Sequence, residues 1–410
     1  MLRKSISREL QKSRVLSSGA RALLISFVAF GVASPLVTLF SNAFLWRMSH
    51  DVISIGSYNG AWMTGVSVGF VVNGYLLRRV KLSWLYATGL VIQSASCLLL
   101  FKVESLQLLE VVALGLIAGL SAGIYWANRN LLSLQMSQGL QRDYFCGLES
   151  AQGTLLAVVS PLLFGWFLEL GIGQDGKGII DRYQFLAMLI IAIQIVGAWY
   201  IIRTRFEDYE PGSIFVSRPS SLWTKARLFT SIKGIAEGSA VFIPTLIVLR
   251  LVGQEQAVGV TQSVAMVLTS VALYFIAGRM GVKNRRRVLQ IGVYSMLLGA
   301  ISLSCMFSQV GALVYLFLQT LAVQLLWVAA NPIILDAINA DQDNTTKHYS
   351  YIVDRELCLN VGRVLGVLVV LGLGGVSDSD LTLRAAPLIL AAMTGSLLFV
   401  SRDLLKPSRG

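Results

Sequence analysis

Long apolar stretches alternate with short polar segments along the whole chain. A bilayer core of about 30 Å is crossed by about 20 mostly apolar helical residues, and the chain has twelve windows of that kind. They lie near residues 22–46, 52–77, 82–101, 106–128, 145–170, 183–202, 228–250, 257–278, 288–308, 311–335, 350–374 and 382–401. The pattern predicts an all-α polytopic membrane protein with twelve transmembrane helices.

A longer polar segment, residues 203–227, divides the predicted helices into six and six. We therefore predict two six-helix bundles, residues 1–202 and 228–410, with this segment as the linker. If the N-terminus is cytoplasmic, most of the 34 Lys and Arg residues fall on the inner side. The positive-inside rule then predicts a cytoplasmic linker and cytoplasmic termini, in a bacterial inner (plasma) membrane.

Composition agrees with this assignment and excludes several classes of function. The chain is 55% hydrophobic and 14% charged, with a mean hydropathy of +0.68, whereas soluble domains are about 25% charged. The net charge of +12 is spread over the loops rather than gathered on one domain, so it does not predict nucleic-acid binding. No nucleotide loop, zinc-protease motif or CxxC pair is present. We therefore expect no cofactor, no metal and no enzymatic activity.

The two halves repeat each other in detail. Trp126 and Asn130 near the end of span four match Trp327 and Asn331 near the end of span ten, both at an offset of 201 residues. Basic loops also follow spans two and eight. This internal similarity is typical of membrane proteins built by duplication.

The basic loops resemble a motif of the major facilitator superfamily, in which Gly, Asp, Arg, Gly and basic residues follow span two and, more weakly, span eight. The family's Asp is replaced by Arg78 in the first copy and by Gly278 in the second. The resemblance implies twelve helices in two bundles and secondary transport by alternating access. The matching positions, predicted to form cytoplasmic gate loops, are Gly74, Arg79, Arg279, Gly281 and Lys283.

The same resemblance implies that spans one, four, seven and ten line a central cavity. It thereby points to Asn42, Asn128 and Gln324 as pathway residues. Trp126 and Trp327 lie on two of these spans, where they line the cavity or belong to the interfacial aromatic belt.

Charged residues inside the predicted spans are further candidates, because each costs roughly 2.5–3.5 kcal/mol at mid-membrane on insertion scales. Lys233 and Glu237 are four residues apart on span seven and can pair. They either neutralise each other or also line the cavity. Glu356, Asn360 and Arg363 form one stripe on span eleven. Arg363 there has either a structural partner or an anionic substrate.

Glu149 and Gln152 share a face of span five. Glu149 is either a proton carrier, with its pKa altered by burial, or a carboxylate paired with Arg129 or Arg142. Glycines four apart on one face, including Gly115, Gly119 and Gly123, are expected to serve close helix packing.

The sequence therefore predicts a secondary transporter for a small, polar and charged solute. It would act as a monomer in the lipid bilayer, driven by protons, by another ion or by the solute's own gradient. Two alternatives stay open. One is an exporter of drugs or siderophore-like compounds, and the other is a non-transporting sensor or assembly protein with the same fold.

Overall fold

The protein is represented by a computed structural model that describes residues 16–103, 107–136, 140–170, 177–207, 209–277, 284–341 and 348–404. Twelve long helices, numbered in chain order, account for most of these residues. They are α1 (Ser18–Ser49), α2 (Val52–Leu76), α3 (Leu82–Leu100), α4 (Leu108–Met136), α5 (Leu140–Glu169), α6 (Lys177–Arg203), α7 (Ser221–Leu251), α8 (Glu255–Ala277), α9 (Arg285–Cys305), α10 (Gln309–Asn339), α11 (His348–Val376) and α12 (Ser379–Gly395, continued by Leu397–Leu404).

Eleven of these helices, all except α2, are long and apolar enough to cross a membrane. α2 has 25 residues, enough for about 37 Å of helix, but it is rich in Gly, Ser and Asn. Its polar residues Asn59, Ser67 and Asn73 are buried, so the polar face of α2 packs against other helices. Large apolar side chains elsewhere point outward, including Leu109 and Tyr274, each 79% exposed. The predicted polytopic all-α fold is confirmed.

Several helices extend beyond the predicted windows because their ends are polar. α7 begins at Ser221 rather than near residue 228, so the last part of the predicted linker is helical. The hydroxyl of Ser220 caps this helix by accepting a hydrogen bond from the Trp223 amide at 3.1 Å. The indole N–H of Trp223 and the guanidinium of Arg227 both donate to Asp354 of α11. These contacts stabilise a helix start that hydropathy does not detect.

α1 and α7 are the two irregular helices, and their irregular segments meet. A π-helical turn, Leu36–Phe40, follows Pro35 in α1. α7 breaks between Ala240 and Ile243, just before Pro244. Proline lacks a backbone donor, which leaves nearby carbonyls free. The amide of Asn42 donates to the carbonyl oxygen of Val241 at 3.3 Å and so joins the first half to the second.

Corresponding helices of the two halves choose corresponding partners. α1 packs on α5 and α6 in the first half, and α7 packs on α11 and α12 in the second. α3 packs on α4 and α6, as α9 does on α10 and α12. The halves contact each other mainly through α2 with α11 and α5 with α8. This arrangement agrees with the duplication predicted from the Trp and Asn positions.

Glycines allow the closest of these helix crossings. A Cβ atom added to Gly119 of α4 would lie 2.0 Å from the carbonyl oxygen of Trp62 on α2. One added to Gly362 of α11 would lie 1.7 Å from the carbonyl oxygen of Ser231 on α7. Between the halves, Gly165 of α5 and Gly259 of α8 face each other in the same way. Glycines therefore allow close helix packing, as predicted, both within each half and between the halves.

The hydrophobic core differs between the two ends of the bundle. We call the end that carries the 203–227 segment the linker side and the opposite end the distal side. On the distal side one cluster contains residues of both halves, such as Phe44, Tyr183, Phe242 and Ile247. On the linker side the core divides into one cluster built mainly from the first half and another from the second. The halves are thus joined distally and separated toward the linker.

Candidate functional site

A cavity of about 790 Å³ lies between the two halves. Its walls come from α1, α2, α4 and α5 of the first half and from α7, α8, α10 and α11 of the second. The lining residues lie from the middle of these helices toward the linker side. The charged ones are Arg129, Glu149, Lys233, Glu237, Arg355, Glu356 and Arg363. Ionisable side chains inside a membrane bundle cost free energy and usually mark a substrate or ion pathway. The cavity, with seven of them, is therefore the candidate site.

Four of these side chains form a continuous ion-pair network, which we call the quartet: Lys233 and Glu237 of α7 with Glu356 and Arg363 of α11. The ammonium of Lys233 pairs with Glu237, as the four-residue spacing predicts. Nη2 of Arg363 donates to Oε2 of Glu237 at 2.8 Å, and Nη1 donates to Oε1 of Glu356 at 2.5 Å. The two cations and two carboxylates balance. Arg363, for which a structural partner or an anionic substrate was expected, has two carboxylate partners.

Arg129 of α4 and Glu149 of α5 form a separate ion pair in the first half. The Arg129 guanidinium also lies over the rings of Phe27 and Trp126, at 4.8 and 4.9 Å from their centroids. Glu149 therefore has one of the two partners expected for it. Gln152, on the same face of α5 as Glu149, does not line the cavity. The buried Oε1 of Gln152 has no hydrogen-bond partner among the described residues.

Both copies of the repeated Trp and Asn pair face the cavity. Trp126 and Asn130 line it from α4, and Trp327 and Asn331 line it from α10. Trp327 is 56% exposed. The repeat therefore places one aromatic and one amide group on the cavity wall from each half of the protein. The internal offset was a usable sign of this site, although the tryptophans alone fit the aromatic belt equally well.

The remaining pathway candidates divide between the cavity and other places. Gln324 lines the cavity. Asn128 is buried outside it and exchanges side-chain hydrogen bonds with Asn73 of α2. Asn42 lies at the junction of α1 and α7 described above, and Asn59 donates to its side-chain oxygen at 2.7 Å. Asn360 is also outside the lining, and its Oδ1 has no hydrogen-bond partner in the described part of the chain.

The predicted gate loops are only partly described. Gly74 is buried at the end of α2, where an added Cβ would lie 2.7 Å from Cε1 of Tyr349 on α11. Arg79 is exposed in the turn after α2. Arg279, Gly281 and Lys283 lie outside the described residues. The first loop thus contributes to the contact between halves through its glycine.

On the distal side the cavity is closed by a polar contact as well as by the shared hydrophobic cluster. Nε and Nη2 of Arg47 on α1 each donate to a carboxylate oxygen of Glu255 on α8 at 2.7 Å. The hydroxyl of Tyr183 donates to the same carboxylate at 3.1 Å. The Glu255 side chain is 3% exposed. We call this contact between the halves the distal latch.

Sequence comparison finds relatives but no functional description. No family model matches the chain. It is 23% identical over 392 residues to a Bacillus subtilis (strain 168) protein named "Uncharacterized protein YqgE", with 95% of this chain and 90% of that protein aligned. It is 26% identical over 167 residues to an "Uncharacterized protein in sodM 3'region" of Geobacillus stearothermophilus, covering 40% of this chain and 73% of that protein.

Solved structures give a clearer result. The nucleoside transporter NupG superposes with a TM-score of 0.64 at 14% identity, covering 95% of this chain and 98% of NupG. A POT family transporter solved with a thioalcohol-conjugated peptide superposes with a TM-score of 0.69 at 11% identity, covering 95% and 97%. Both have the fold of major facilitator secondary transporters. This protein therefore has the major facilitator fold across nearly its whole length.

Proposed function

We propose that this protein is a secondary transporter that moves a small, polar and charged solute by alternating access between its two halves. The observation that carries the proposal is the central cavity, whose walls come from both halves and hold seven charged side chains. Charges this deep in a bundle persist when they face partners or a watery space. The solved proteins of the same fold are transporters by name.

Within this proposal the pathway consists of the predicted residues that line the cavity: Glu149, Lys233, Glu237, Gln324, Glu356 and Arg363. The distal latch and the shared distal cluster keep the cavity closed on one side. The split core on the linker side leaves the opposite side as the place of exchange. If the linker is cytoplasmic, the structure corresponds to an inward-facing state.

An exporter of large apolar compounds fits the cavity less well. Three tryptophans offer apolar surface, but seven charged side chains line the same cavity. Desolvating those charges against an apolar drug would cost free energy without a compensating contact. We therefore retain the polar solute.

The test is a transport assay with purified protein in sealed liposomes. Uptake and efflux of pooled small metabolites would be followed by mass spectrometry, with and without an imposed pH gradient or membrane potential. Liposomes containing a Lys233→Met/Glu237→Gln variant, whose folding is checked by thermal unfolding, provide a control with an altered cavity wall. Solute movement that depends on the wild-type protein supports the proposal. Absence of any protein-dependent flux across charged and zwitterionic solutes would contradict it.

A further inference from the structure

The charges in the cavity wall do not cancel. Three carboxylates line the cavity, and each is engaged by a lining cation: Glu149 by Arg129, and Glu237 and Glu356 by the cations of the quartet. Arg355 is the remaining cation. Within the described residues no carboxylate lies within ion-pair distance of its guanidinium. The wall therefore carries one positive charge in excess.

The neighbours of Arg355 explain why it stays unpaired. Asp354 points away from the cavity and accepts from Arg227 at 2.7 and 2.8 Å and from Trp223 at 2.7 Å. Glu356 points along α11 to Arg363. Successive helical residues project about 100° apart, so Arg355 projects in a third direction, into the cavity. Both acidic neighbours of Arg355 in sequence therefore pair with other residues.

Other unsatisfied groups of the wall are also donors. The indole N–H of Trp62 and Nε of Arg129 line the cavity, are buried, and have no acceptor among the described residues. An indole N–H and a guanidinium can only donate. A ligand that satisfies this wall must therefore be rich in acceptors, and the excess positive charge favours an anion.

The other lining residues indicate the shape and polarity of the uncharged part of such a ligand. Trp126 and Trp327 present aromatic surface from the two halves, and flat apolar groups stack on such rings. Asn130, Gln324 and Asn331 line the cavity, and their side-chain amides make no hydrogen bond to another described residue. These amides can donate or accept at the edge of a ring. The set is suited to a flat organic molecule with one anionic group.

Resting on the transport function proposed above, we infer that the solute is a small aromatic monocarboxylate whose anionic group is bound by Arg355. The guanidinium binds a carboxylate through two parallel N–H donors, and the bound anion brings the charge of the wall to zero. Arg363, which the stripe on α11 suggests as the anion site, already has two carboxylate partners in the quartet. Arg355 is the binding residue because it alone among the described lining cations has no carboxylate.

The test compares ligands that differ only in charge. Two series are used, benzoate with benzamide and benzylamine, and indole-3-acetate with indole-3-acetamide and tryptamine. Full-length protein is placed in phosphatidylcholine nanodiscs, and binding is measured by calorimetry and by the shift in unfolding temperature. The variants are Arg355→Gln, Arg355→Lys and a control, Arg402→Gln, which removes an exposed arginine outside the cavity.

We expect wild type and Arg402→Gln to prefer at least one acid over both its amide and its amine. Arg355→Gln should bind that acid about tenfold more weakly while unfolding at the wild-type temperature, because no described residue forms an ion pair with Arg355. Arg355→Lys should keep part of the preference through its charge. Equal binding of acid, amide and amine by wild type overturns the inference, as does an acid preference that survives in Arg355→Gln.

A transport measurement separates this inference from the proposed function. The preferred acid is loaded into protein-containing liposomes and its flux is followed. An acid that binds through Arg355 but never crosses under any gradient contradicts transport and leaves the binding site standing. Protein-dependent flux of a different solute class, with no acid bound, contradicts the monocarboxylate and leaves transport standing.

Discussion

At the scale of single residues, the chemistry of Arg363 dictates the quartet. Its guanidinium keeps its proton in proteins, so a position at the middle of α11 requires negative partners. Glu237 and Glu356 supply them from two directions. Removing one partner of a buried pair costs about 3–5 kcal/mol, since an uncompensated charge remains. The quartet is therefore a structural unit as well as a part of the cavity wall.

Replacing Glu237 with Gln tests that unit. Glu237 is bonded to both Lys233 and Arg363, so its loss leaves two neighbouring cations with one carboxylate. We expect the unfolding temperature of the purified protein to fall by roughly 5 °C or more. The measurement is thermal unfolding in detergent, followed by tryptophan fluorescence.

The control for this prediction is the double variant Lys233→Met/Glu237→Gln. It removes one charge of each sign and leaves Arg363 paired with Glu356. Part of the lost stability should return, so the effects of Glu237→Gln and of the second single variant, Lys233→Met, should not add. If the losses of the two single variants simply sum in the double variant, the residues do not act as a pair.

Only part of the quartet is readable from the sequence. The spacing of Lys233 and Glu237, and the stripe from Glu356 to Arg363, follow from the period of a helix. The bond between Glu237 and Arg363 joins residues 126 positions apart, and helical periodicity carries no information about it. For the same reason the sequence could not show that Arg363 has two carboxylate partners, or that Arg355 has none among the described residues.

At the scale of helices, close crossings depend on glycine. We expect Gly119→Ala to reduce the yield of monodisperse protein and to destabilise it by about 1–3 kcal/mol, because its new methyl group would overlap the Trp62 carbonyl. Gly372→Ala in α11 is the matched control, since nothing lies within 4 Å of the added Cβ. Both are measured by size-exclusion chromatography and thermal unfolding. Equal behaviour of the two variants would remove the packing argument.

Hydropathy predicts the existence of helices better than their limits. The apolar windows located all twelve helices. They include α2, which is not apolar enough by itself to count as a membrane span, but whose polar residues are buried against other helices. The start of α7 was missed because Trp223 and Arg227 depend on Asp354, which is distant in sequence. The π-helical turn after Pro35 was missed as well. A proline marks a change in the helix, but the local pattern does not say which change.

At the scale of the whole molecule, the positive-inside rule predicts from the basic loops that the linker is cytoplasmic. Alkaline phosphatase fused after Gly212 in the linker should be inactive, and the same reporter fused after Gly253, between α7 and α8, should be active. A green fluorescent protein should show the opposite pattern at the two sites. An active phosphatase at Gly212 would reverse the assigned orientation and make the described state outward-facing.

The architecture of the whole was predictable, whereas the composition of its cavity was predictable only in part. Two bundles, a linker and a cavity between them follow from counting spans and from the internal repeat. Glu149, Lys233 and Gln324, which were predicted as pathway residues, line the cavity. Asn42 and Asn128 lie outside its lining, where their amides hydrogen-bond to neighbouring helices. A buried amide looks the same in sequence whether it serves packing or a ligand.

Alternating access requires the distal side to open, and the distal latch opposes that step. Arg47 and Glu255 come from different halves; in their bidentate contact the Glu255 carboxylate is buried, and the Arg47 side chain is 32% exposed. Removing one partner of such a pair costs about 2–5 kcal/mol in the state that contains it. Each 1.4 kcal/mol shifts an equilibrium about tenfold, so Glu255→Gln should raise the population of distally open molecules by at least that factor.

Hydrogen exchange measured by mass spectrometry reports this shift without added labels. In Glu255→Gln, exchange should increase in the distal segments Ser41–Ser49 and Ile243–Leu251 and decrease at the linker-side ends of α4 and α10. The matched control is Arg250→Gln. This variant breaks the ion pair between Arg250 and Asp380, which also lies on the distal side.

The control pair is exposed and joins helices of one half, so its loss costs about 0–1 kcal/mol. A latch predicts opposite changes at the two ends in Glu255→Gln and little change in Arg250→Gln. Increased exchange at both ends would indicate general destabilisation, and an unchanged distal side would mean that the hydrophobic cluster alone holds the halves together.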